Sequence, residues 1–440
     1  MPTETLIAVS LATALMGLGA PSTDGGANAD QKPVFPGSCA AHADSVDVTE
    51  FGASGDGVSD NVGAFKAAIS YASRCAVATI RVPAGLYQFD PHGPETGIYL
   101  GSNLSLKGDG AARTTLVVSN RNPNSNFDSL FWARNQDNIS ISGITFAGNN
   151  VPIYDATGRA LNSYGSALTI VIDAASSSPE LETPRNLAHF TVAHCSFRNF
   201  NAAAWVSVIN LSATFKISHV RLVDNEFLSF EQNAVNPSSI GYVANAISIM
   251  GSLTSADGLV TDTVISGNSI NAGYIKGGIA LWSGVSGVTV DGNRIVDAGA
   301  AEYIPNNSGA YAINIYNNAY YYHDSVHADG APMGGSRPDD VHIKRNIIVH
   351  PRSCGVYAAA ANRLWIEDNV ISGQTDPEND VLPKGAIAVF KPNDALVTGN
   401  RIAGSFIGLA LYPGDHGRIR SMNNSVAHVL PRGFAVSPTR

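Results

Sequence analysis

The sequence predicts an all-β fold, a single-stranded right-handed parallel β-helix (a solenoid) with a helical cap at its N-terminal end. The first observation is a strand-like phrase that ends in Asn and keeps returning. Its copies place this residue at Asn225, Asn268, Asn293, Asn346, Asn369, Asn400 and Asn424. The interval is 25 residues from Asn268 to Asn293, 23 from Asn346 to Asn369 and 24 from Asn400 to Asn424. A nearly fixed period in this range, with apolar alternation inside each unit, is typical of a solenoid.

The second observation is composition. Only 14% of the 440 residues are charged, and 43 are Gly. This composition argues against long amphipathic helices and favours a turn-rich β protein. The net charge of −9 and the lack of a basic stripe give no reason to expect a nucleic-acid partner.

We expect the repeated Asn residues to form a ladder at a tight bend, with each side-chain amide bonded to the neighbouring coils. Asn tolerates left-handed backbone and bonds locally, which explains its choice over a larger residue. The two wider intervals, from Asn225 to Asn268 and from Asn293 to Asn346, fit either two coils each or one coil that carries an insertion.

The N-terminus predicts export. Residues 6–20 are an apolar run of signal-peptide length, and Ala27-Asn28-Ala29 matches a small-x-small cleavage site. We therefore expect residues 1–29 to be a signal peptide and residues 30–440 to be the β-helix domain, located outside the cell or in the periplasm. The run is too short to span a membrane, and no later segment is long enough.

The four cysteines fit an exported protein. Cys39 and Cys75 flank the N-terminal region and are candidates for a bridge across it. Cys195 and Cys354 occupy apolar repeat positions, which favours buried thiols. The sequence has no CxxC pair and no His/Cys cluster that would indicate zinc.

An N-terminal cap and the first coils are predicted for residues 46–110, and a short tail for residues 430–440. A helix is expected after Asp60, with Ser59 or Asp60 as its N-cap. One face of this helix is apolar and comprises Ala64, Phe65, Ala68, Ile69 and Ala72. A strand follows at residues 78–83. Such a helix would cover the apolar surface and the unpaired strand edge that an open solenoid end exposes.

Two motifs in this region carry a family resemblance. The string Phe51-Gly-Ala-x-Gly55-Asp-Gly-x-x-Asp60, followed by a helix and then Val82-Pro-Ala-Gly-x-Tyr87, resembles the opening of the pectate-lyase-3 superfamily. That superfamily includes rhamnogalacturonase-like and epimerase-like β-helix proteins and many phage tailspikes. The resemblance implies the scaffold and says little about the reaction, because members of the superfamily differ in chemistry. The polygalacturonase and epimerase catalytic motifs are missing, so the resemblance transfers no catalytic residue.

A second strand in each coil precedes the Asn phrase, and its alternation sorts side chains between two faces. The inward set is apolar and comprises Ile279, Leu281, Ile313, Ile315, Ile387, Val389, Leu409 and Leu411. The outward set comprises Trp282, Asn314, Tyr316, Tyr357, Phe390 and Tyr412. An exposed row of aromatic rings suits the stacking of sugars. The alternative is that loops cover this face and turn the row into a minor core.

The sequence leaves three functions open. A polyuronate lyase would use Asn314 or Lys276 to neutralise the substrate carboxylate, and Tyr316 or His323 as base and acid. A glycoside hydrolase would need two carboxylates, for which Asp173, Glu231 and Asp324 are the main candidates. A non-catalytic glycan-binding or tailspike-like β-helix would keep only the binding row. We place the lyase first.

The predicted substrate-binding residues are Trp282, Tyr357, Phe390, Lys391 and Tyr412. No cofactor is certain, and Asp376-x-Glu378-x-Asp380 is a weak candidate for a Ca²⁺ site because oxygens stand at alternate positions. The expected partner is a polysaccharide. A homotrimer is a candidate assembly, because trimers are common among β-helices that act on glycans.

Overall fold

The computed structural model confirms the predicted right-handed parallel β-helix. It describes residues 39, 44–90, 97–118, 129–148, 166–173, 183–200, 204–228, 245–252, 255, 257, 259–273, 277–299, 310–317, 336–375, 385–414 and 417–428. The described strands form three parallel sheets of twelve, twelve and ten strands, called sheet 1, sheet 2 and sheet 3. From β3 to β32 each coil contributes one strand to each sheet in turn, whereas the first coil (β1, β2) and the last (β33, β34) have no described strand in sheet 3.

The strands of sheet 1 are β1 (Ser45–Asp47), β3 (Thr79–Val82), β6 (Leu104–Gly108), β9 (Ile139–Ser142), β12 (Leu187–Ala193), β15 (Ile217–Val223), β18 (Val260–Ser266), β21 (Val285–Asp291), β24 (Asp339–Lys344), β27 (Arg363–Glu367), β30 (Asp394–Thr398) and β33 (Arg418–Met422). Those of sheet 2 are β2 (Asp56–Asp60), β4 (Gly85–Phe89), β7 (Thr114–Val118), β10 (Thr145–Ala147), β13 (Ser196–Arg198), β16 (Glu226–Leu228), β19 (Ser269–Asn271), β22 (Arg294–Val296), β25 (Ile347–Val349), β28 (Val370–Ser372), β31 (Arg401–Ala403) and β34 (Ser425–Ala427). Those of sheet 3 are β5 (Ile98–Tyr99), β8 (Ser129–Arg134), β11 (Ser166–Ile172), β14 (Ala204–Asn210), β17 (Asn245–Met250), β20 (Gly277–Leu281), β23 (Tyr311–Tyr316), β26 (Cys354–Ala359), β29 (Ile387–Phe390) and β32 (Leu409–Tyr412).

The main core fills the inside of the coil, and the predicted inward residues are confirmed. Ile279, Leu281, Ile313, Ile315, Ile387 and Val389 are fully buried in it, and Leu409 and Leu411 pack against it. Strands of sheets 1 and 2 mostly alternate between buried and partly exposed residues, so their outer faces meet solvent. Strands β11, β14, β17, β20, β23 and β26 of sheet 3 are buried at every position. The middle strands of sheet 3 are therefore buried on both faces, whereas its terminal strands β5 and β32 are partly exposed.

The Asn ladder is confirmed. Asn268 donates from its backbone N–H and from Nδ2 to Oδ1 of Asn293, at 2.9 Å in both cases, and from Nδ2 to the carbonyl of Leu222 in the preceding coil. The same pattern links each ladder Asn from Asn225 to Asn400 with the next copy. Each amide thus joins three coils and satisfies buried backbone groups at the bend.

The ladder Asn residues do not themselves adopt the left-handed backbone that we expected of them. The left-handed residue of each bend is the one before the ladder Asn, such as Asp224, Gly267 or Arg345, with φ of 54°, 65° and 53°. The ladder position is therefore kept for its amide hydrogen bonds. The residue before it adopts the left-handed backbone conformation, which Gly and Asp adopt at low cost.

The two wide intervals are single coils that carry insertions. Strand β15 pairs directly with β18, and β21 pairs directly with β24, in continuous parallel register. No additional coil therefore stands between β15 and β18 or between β21 and β24.

Helix α1 (Val62–Cys75) and a short 3₁₀ helix (Val48–Phe51) form the N-terminal cap. Phe65, Ala68, Ile69 and Ala72 of the predicted face are buried, and Ala64 is partly buried. The N-cap is Asn61, one or two residues later than predicted. Its side chain bonds elsewhere: Oδ1 accepts from the Ser54 N–H, and Nδ2 donates to the Gln88 carbonyl.

A disulfide links Cys39 to Cys75 at the end of α1, as the sequence suggested. Cys195 and Cys354 are buried free thiols, as predicted. The described helices include none that is long and apolar enough to cross a membrane. The predicted signal peptide, residues 1–29, and the predicted tail, residues 430–440, lie outside the described residues.

Candidate functional site

The outer face of sheet 3 carries two columns of side chains that turn away from the main core. Parallel register aligns the first column as Tyr99, Trp132, Thr169, Ser207, Ser248, Ala280, Asn314, Tyr357, Ala388 and Ala410. The second column contains Arg134, Val171, Ile209, Met250, Tyr316, Ala359, Phe390 and Tyr412. Trp282 follows β20 directly and stacks on Tyr316. The predicted outward residues thus do share one face.

The predicted aromatic residues form a stacked row, called here the aromatic row (Trp282, Tyr316, Tyr357, Phe390 and Tyr412). Ring centroids are 5.2 Å apart between Trp282 and Tyr316, and 5.4 Å apart between Tyr316 and Tyr357. They are 5.4 Å apart between Tyr357 and Phe390, and 4.7 Å between Phe390 and Tyr412. Such offset and tilted pairs stabilise one another beyond the burial of their area.

The expectation that this row is exposed is wrong for its central members. Tyr316, Tyr357 and Phe390 are only 5%, 4% and 3% exposed, whereas Trp282 and Tyr412 at the two ends are partly exposed. The row forms a hydrophobic cluster separate from the main core, which is the alternative left open by the sequence. Burial also raises the pKa of the Tyr412 hydroxyl, because the phenolate would lose solvation.

Asn314 is an amide that borders the aromatic row. It lies on β23 two residues before Tyr316, opposite Ala280 on one side and Tyr357 on the other. It is 6% exposed, and within the described part of the chain its Oδ1 has no hydrogen-bond partner. A buried acceptor without a donor costs about 1–3 kcal/mol. An amide can present either a donor or an acceptor to a ligand, so this position is suited to bind a polar group.

Lys391 follows Phe390 at the exposed end of the row. Its backbone is left-handed, with φ of 45°, and its N–H donates to the Tyr412 carbonyl at 2.7 Å. A Cβ at Gly414 would lie 3.0 Å from the Lys391 Cγ, so the lysine stem runs past this glycine. The lysine therefore borders the row next to Tyr412.

Asp173 is not brought together with Tyr316. It is buried and forms an ion pair with Arg134, while Asn135 holds its backbone at both N–H and C=O. Asp173 follows β11, four strands from β23, and at a strand spacing of about 4.8 Å this places it roughly 19 Å from Tyr316. Two hydrolytic carboxylates must lie within about 5–10 Å of each other. Asp173 can therefore not share one reaction centre with residues beside Tyr316.

Several predicted residues lie outside the described residues: Lys276, Glu231, His323 and Asp324. The candidate Ca²⁺ segment, residues 376–380, lies outside them as well. In the part of the chain that is described, no three His, Cys, Asp or Glu side chains come together as a metal site.

Sequence reasoning missed Tyr311 and Trp132. Tyr311 stacks on Tyr357 with centroids 4.5 Å apart and planes 8° from parallel. It has the same sequence parity as the inward Ile313, so alternation alone assigns it to the wrong face. It is the first residue of β23, and its register partner Cys354 belongs to the same aromatic cluster, so strict alternation does not hold at this end of the strand. Trp132 was overlooked because its strand, β8, has no polar alternation.

Two family models match the chain. Residues 45–129 match the one described as "Rhamnogalacturonase A/epimerase, pectate lyase-like", and residues 261–436 match the one described as "Periplasmic copper-binding protein (NosD)". The resemblance to the pectate-lyase-like parallel β-helix superfamily is thereby confirmed. The curated proteins contain no significant match to the sequence.

Solved structures with the same fold have diverse functions. The A-module of mannuronan C-5 epimerase AlgE4 from Azotobacter vinelandii is 16% identical, with 87% of this chain and 96% of that chain covered and a TM-score of 0.50. PfbA, a surface adhesin of Streptococcus pneumoniae, is 15% identical over 88% and 92%, with a TM-score of 0.54. A tailspike protein of the E. coli bacteriophage HK620, solved with a pentasaccharide, is 14% identical over 87% and 65%, with a TM-score of 0.51. At these identities the likeness shows the fold alone.

The description of the second family model names copper, and the described part of the chain brings together no group of three His, Cys, Asp or Glu side chains that would suit that metal. Copper in proteins takes imidazole and sulfur ligands in close groups. His342 and His350 pair instead with Asp340 and Asp297, at 3.3 and 3.2 Å. Cys354 is buried in the aromatic cluster.

Proposed function

We propose that this protein is an exported carbohydrate-active enzyme that cleaves a polysaccharide on the outer face of sheet 3. The observation that carries the proposal is the buried Oδ1 of Asn314, which has no hydrogen-bond partner among the described residues and lies beside Tyr316 and Tyr357. Aromatic faces suit sugar rings, and an unpaired amide suits a hydroxyl or carboxyl group. The disulfide between Cys39 and Cys75 supports an oxidising compartment outside the cytosol.

Within this proposal, β-elimination on a polyuronate is the favoured reaction. A base removes the C5 proton, the electron pair forms the C4–C5 double bond, and the C4–O bond breaks. The leaving oxygen then takes a proton from an acid. Asn314 would turn its Nδ2 towards the substrate carboxylate, and Tyr316 would act as base or acid. Lys276 and His323 remain proposed alternatives for neutralisation and proton transfer.

Hydrolysis is the second reading, and the described residues support it less well. Asp173 is engaged by Arg134, and it is distant from the aromatic row. Glu231 and Asp324 remain the proposed carboxylates for that reaction. A glycan-binding β-helix without catalysis is the third reading.

The test is incubation of the full chain with alginate, polygalacturonate and neutral polysaccharides. Ultraviolet absorbance of unsaturated products and reducing ends would be followed together. We expect both to rise on a polyuronate and both to fall at least about 100-fold in Asn314→Leu. Reducing ends without absorbance would replace the lyase with a hydrolase. Binding to a glycan without either product would leave only the binding reading.

A further inference from the structure

The N-terminal half of the same sheet face carries a second set of aromatic and polar groups. Tyr99 and Trp132 are register partners on β5 and β8, and their rings stack with centroids 6.5 Å apart and planes 20° from parallel. Tyr99 stands on the terminal strand of sheet 3 and is 39% exposed. The Tyr99 ring is therefore accessible from the end of the sheet, while Trp132 behind it is 8% exposed.

The position of the Trp132 indole depends on the absence of a side chain at Gly97. A Cβ at position 97 would collide with Cδ1 and Nε1 of the indole. Gly97 immediately precedes β5, so the end of the sheet presents the tryptophan over bare backbone. This close approach fixes the indole beside the Tyr99 ring.

A charged pair adjoins these rings on the same face. Arg134 lies two residues after Trp132, and its guanidinium pairs with the Asp173 carboxylate. The Arg134 side chain is 13% exposed and that of Asp173 is 8% exposed, so the pair is largely buried. Among the described residues, no acceptor reaches the Nε of Arg134. The pair thus has no net charge and retains one unused, directed donor.

We infer that Tyr99, Trp132 and Arg134 with Asp173 form a second sugar-binding subsite, which holds a distal residue of the same glycan chain. The rings take the apolar face of the sugar, and the free N–H of Arg134 donates to a hydroxyl or ring oxygen. This inference rests on the proposed function, because it assigns the ligand to the polymer handled at Asn314.

Sheet geometry sets the distance between the two sites. Trp132 on β8 and Asn314 on β23 stand in one column, five strands apart, which is about 24 Å at a spacing of about 4.8 Å. The intervening column positions include Thr169, Ser207 and Ser248, each a small hydroxyl side chain that is buried in the structure. Only a glycan long enough to span this distance reaches both sites.

The test compares Tyr99→Ala with wild type on alginate and polygalacturonate oligomers of graded length. Ile347→Ala is the control, since it removes an exposed apolar side chain that is 47% exposed on sheet 2. For oligomers that span both sites, we expect Tyr99→Ala to weaken binding and lower kcat/KM at least about five-fold. For disaccharides, turnover should not change. Gly97→Ala, which displaces Trp132, should reproduce this dependence on length.

Equal losses on short and long oligomers, or no loss on either, would overturn the subsite. Affinity electrophoresis measures binding without catalysis, so it distinguishes failure of the subsite from failure of the proposed enzymatic function. If wild type binds long oligomers without cleaving them and Tyr99→Ala binds them more weakly, the subsite stands and the enzymatic proposal falls. If wild type binds no oligomer, both fall.

Discussion

Cys195 occupies in its coil the position that Asn225 takes in the next one. The Cys195 N–H donates to Asn225 Oδ1 at 3.0 Å, as each ladder residue does to its successor. The Cys195 sulfur contacts the carbonyls of Ile141 and Ala193 at 3.8 and 3.4 Å. Asn225 Nδ2 uses the equivalent carbonyl of Val192, since Val192 is the register partner of Ile141. The thiol therefore stands in for an amide at the start of the ladder.

We expect Cys195→Asn to stabilise the protein. Its Nδ2 would donate to the two carbonyls that the thiol contacts weakly, and its Oδ1 would accept from the Ile144 N–H that now points at the sulfur. The gain should be about 1 kcal/mol in the free energy of unfolding. Denaturant midpoints of wild type, Cys195→Asn and Cys195→Ala measure it. A midpoint for the Asn variant at or below that of the Ala variant would contradict the equivalence.

Asn293→Ala should be strongly destabilising. Asn293 accepts from both the N–H and Nδ2 of Asn268, and donates to Asn346 Oδ1 and the Ile265 carbonyl. Its loss leaves several buried groups unpaired, so we expect a cost of at least about 3 kcal/mol. The exposed Asn271 on β19 provides the control, and Asn271→Ala should change stability by no more than about 0.5 kcal/mol. Chemical denaturation compares the two, and equal effects would refute the ladder as a source of stability.

Asn314→Leu should separate stability from function. Because no described residue donates a hydrogen bond to Oδ1 of Asn314, an apolar side chain of similar shape should leave stability unchanged or raise it by about 1 kcal/mol. Asn210 is the matched control: it is fully buried, its Nδ2 donates to Phe215, and its Oδ1 accepts from Ser212. Asn210→Leu should cost at least about 2 kcal/mol. A large loss of stability in Asn314→Leu would mean that the amide serves the fold.

Asp56 should contribute to the acid stability of the N-terminal cap. Its carboxylate accepts from the N–H groups of Ser59 and Val58, at 2.8 Å each, and these bonds hold its pKa well below the usual 3.8. Because the folded pKa is the lower one, the contribution is complete above 3.8 and is lost as pH falls below that value towards the folded pKa.

The measurement is the melting temperature of wild type and Asp56→Asn from neutral pH down to acid. We expect the variant to melt lower at neutral pH, and the difference to shrink as pH falls below 3.8. The exposed Asp44 lies in the same coil, and Asp44→Asn is the control. A difference between wild type and Asp56→Asn that is independent of pH would rule out this charge effect.

The features predictable from the sequence are those that every coil repeats. The ladder Asn and the inward residues such as Ile313 recur because each coil packs against its neighbours through the same contacts. Burial of Tyr316 and Tyr357 was not predictable, because it depends on what covers sheet 3, and the joins beside that sheet follow no repeat. The place of Cys195 in the ladder was not predictable either. Its backbone position and contacts match those of a ladder Asn, but its residue type does not.

The joins between strands divide the solenoid into a constant side and a variable side. From β9 onwards, every join from sheet 1 to sheet 2 has two residues, such as Gly267 and Asn268. Joins that border sheet 3 range from three residues (282–284) to twenty-two (317–338). Chain length can therefore change beside sheet 3 without shifting the register of the ladder. Under the proposed function, exchange of these joins would change substrate preference while the ladder contacts that repeat in every coil stay the same, and a join transplanted from a relative should carry its specificity with it.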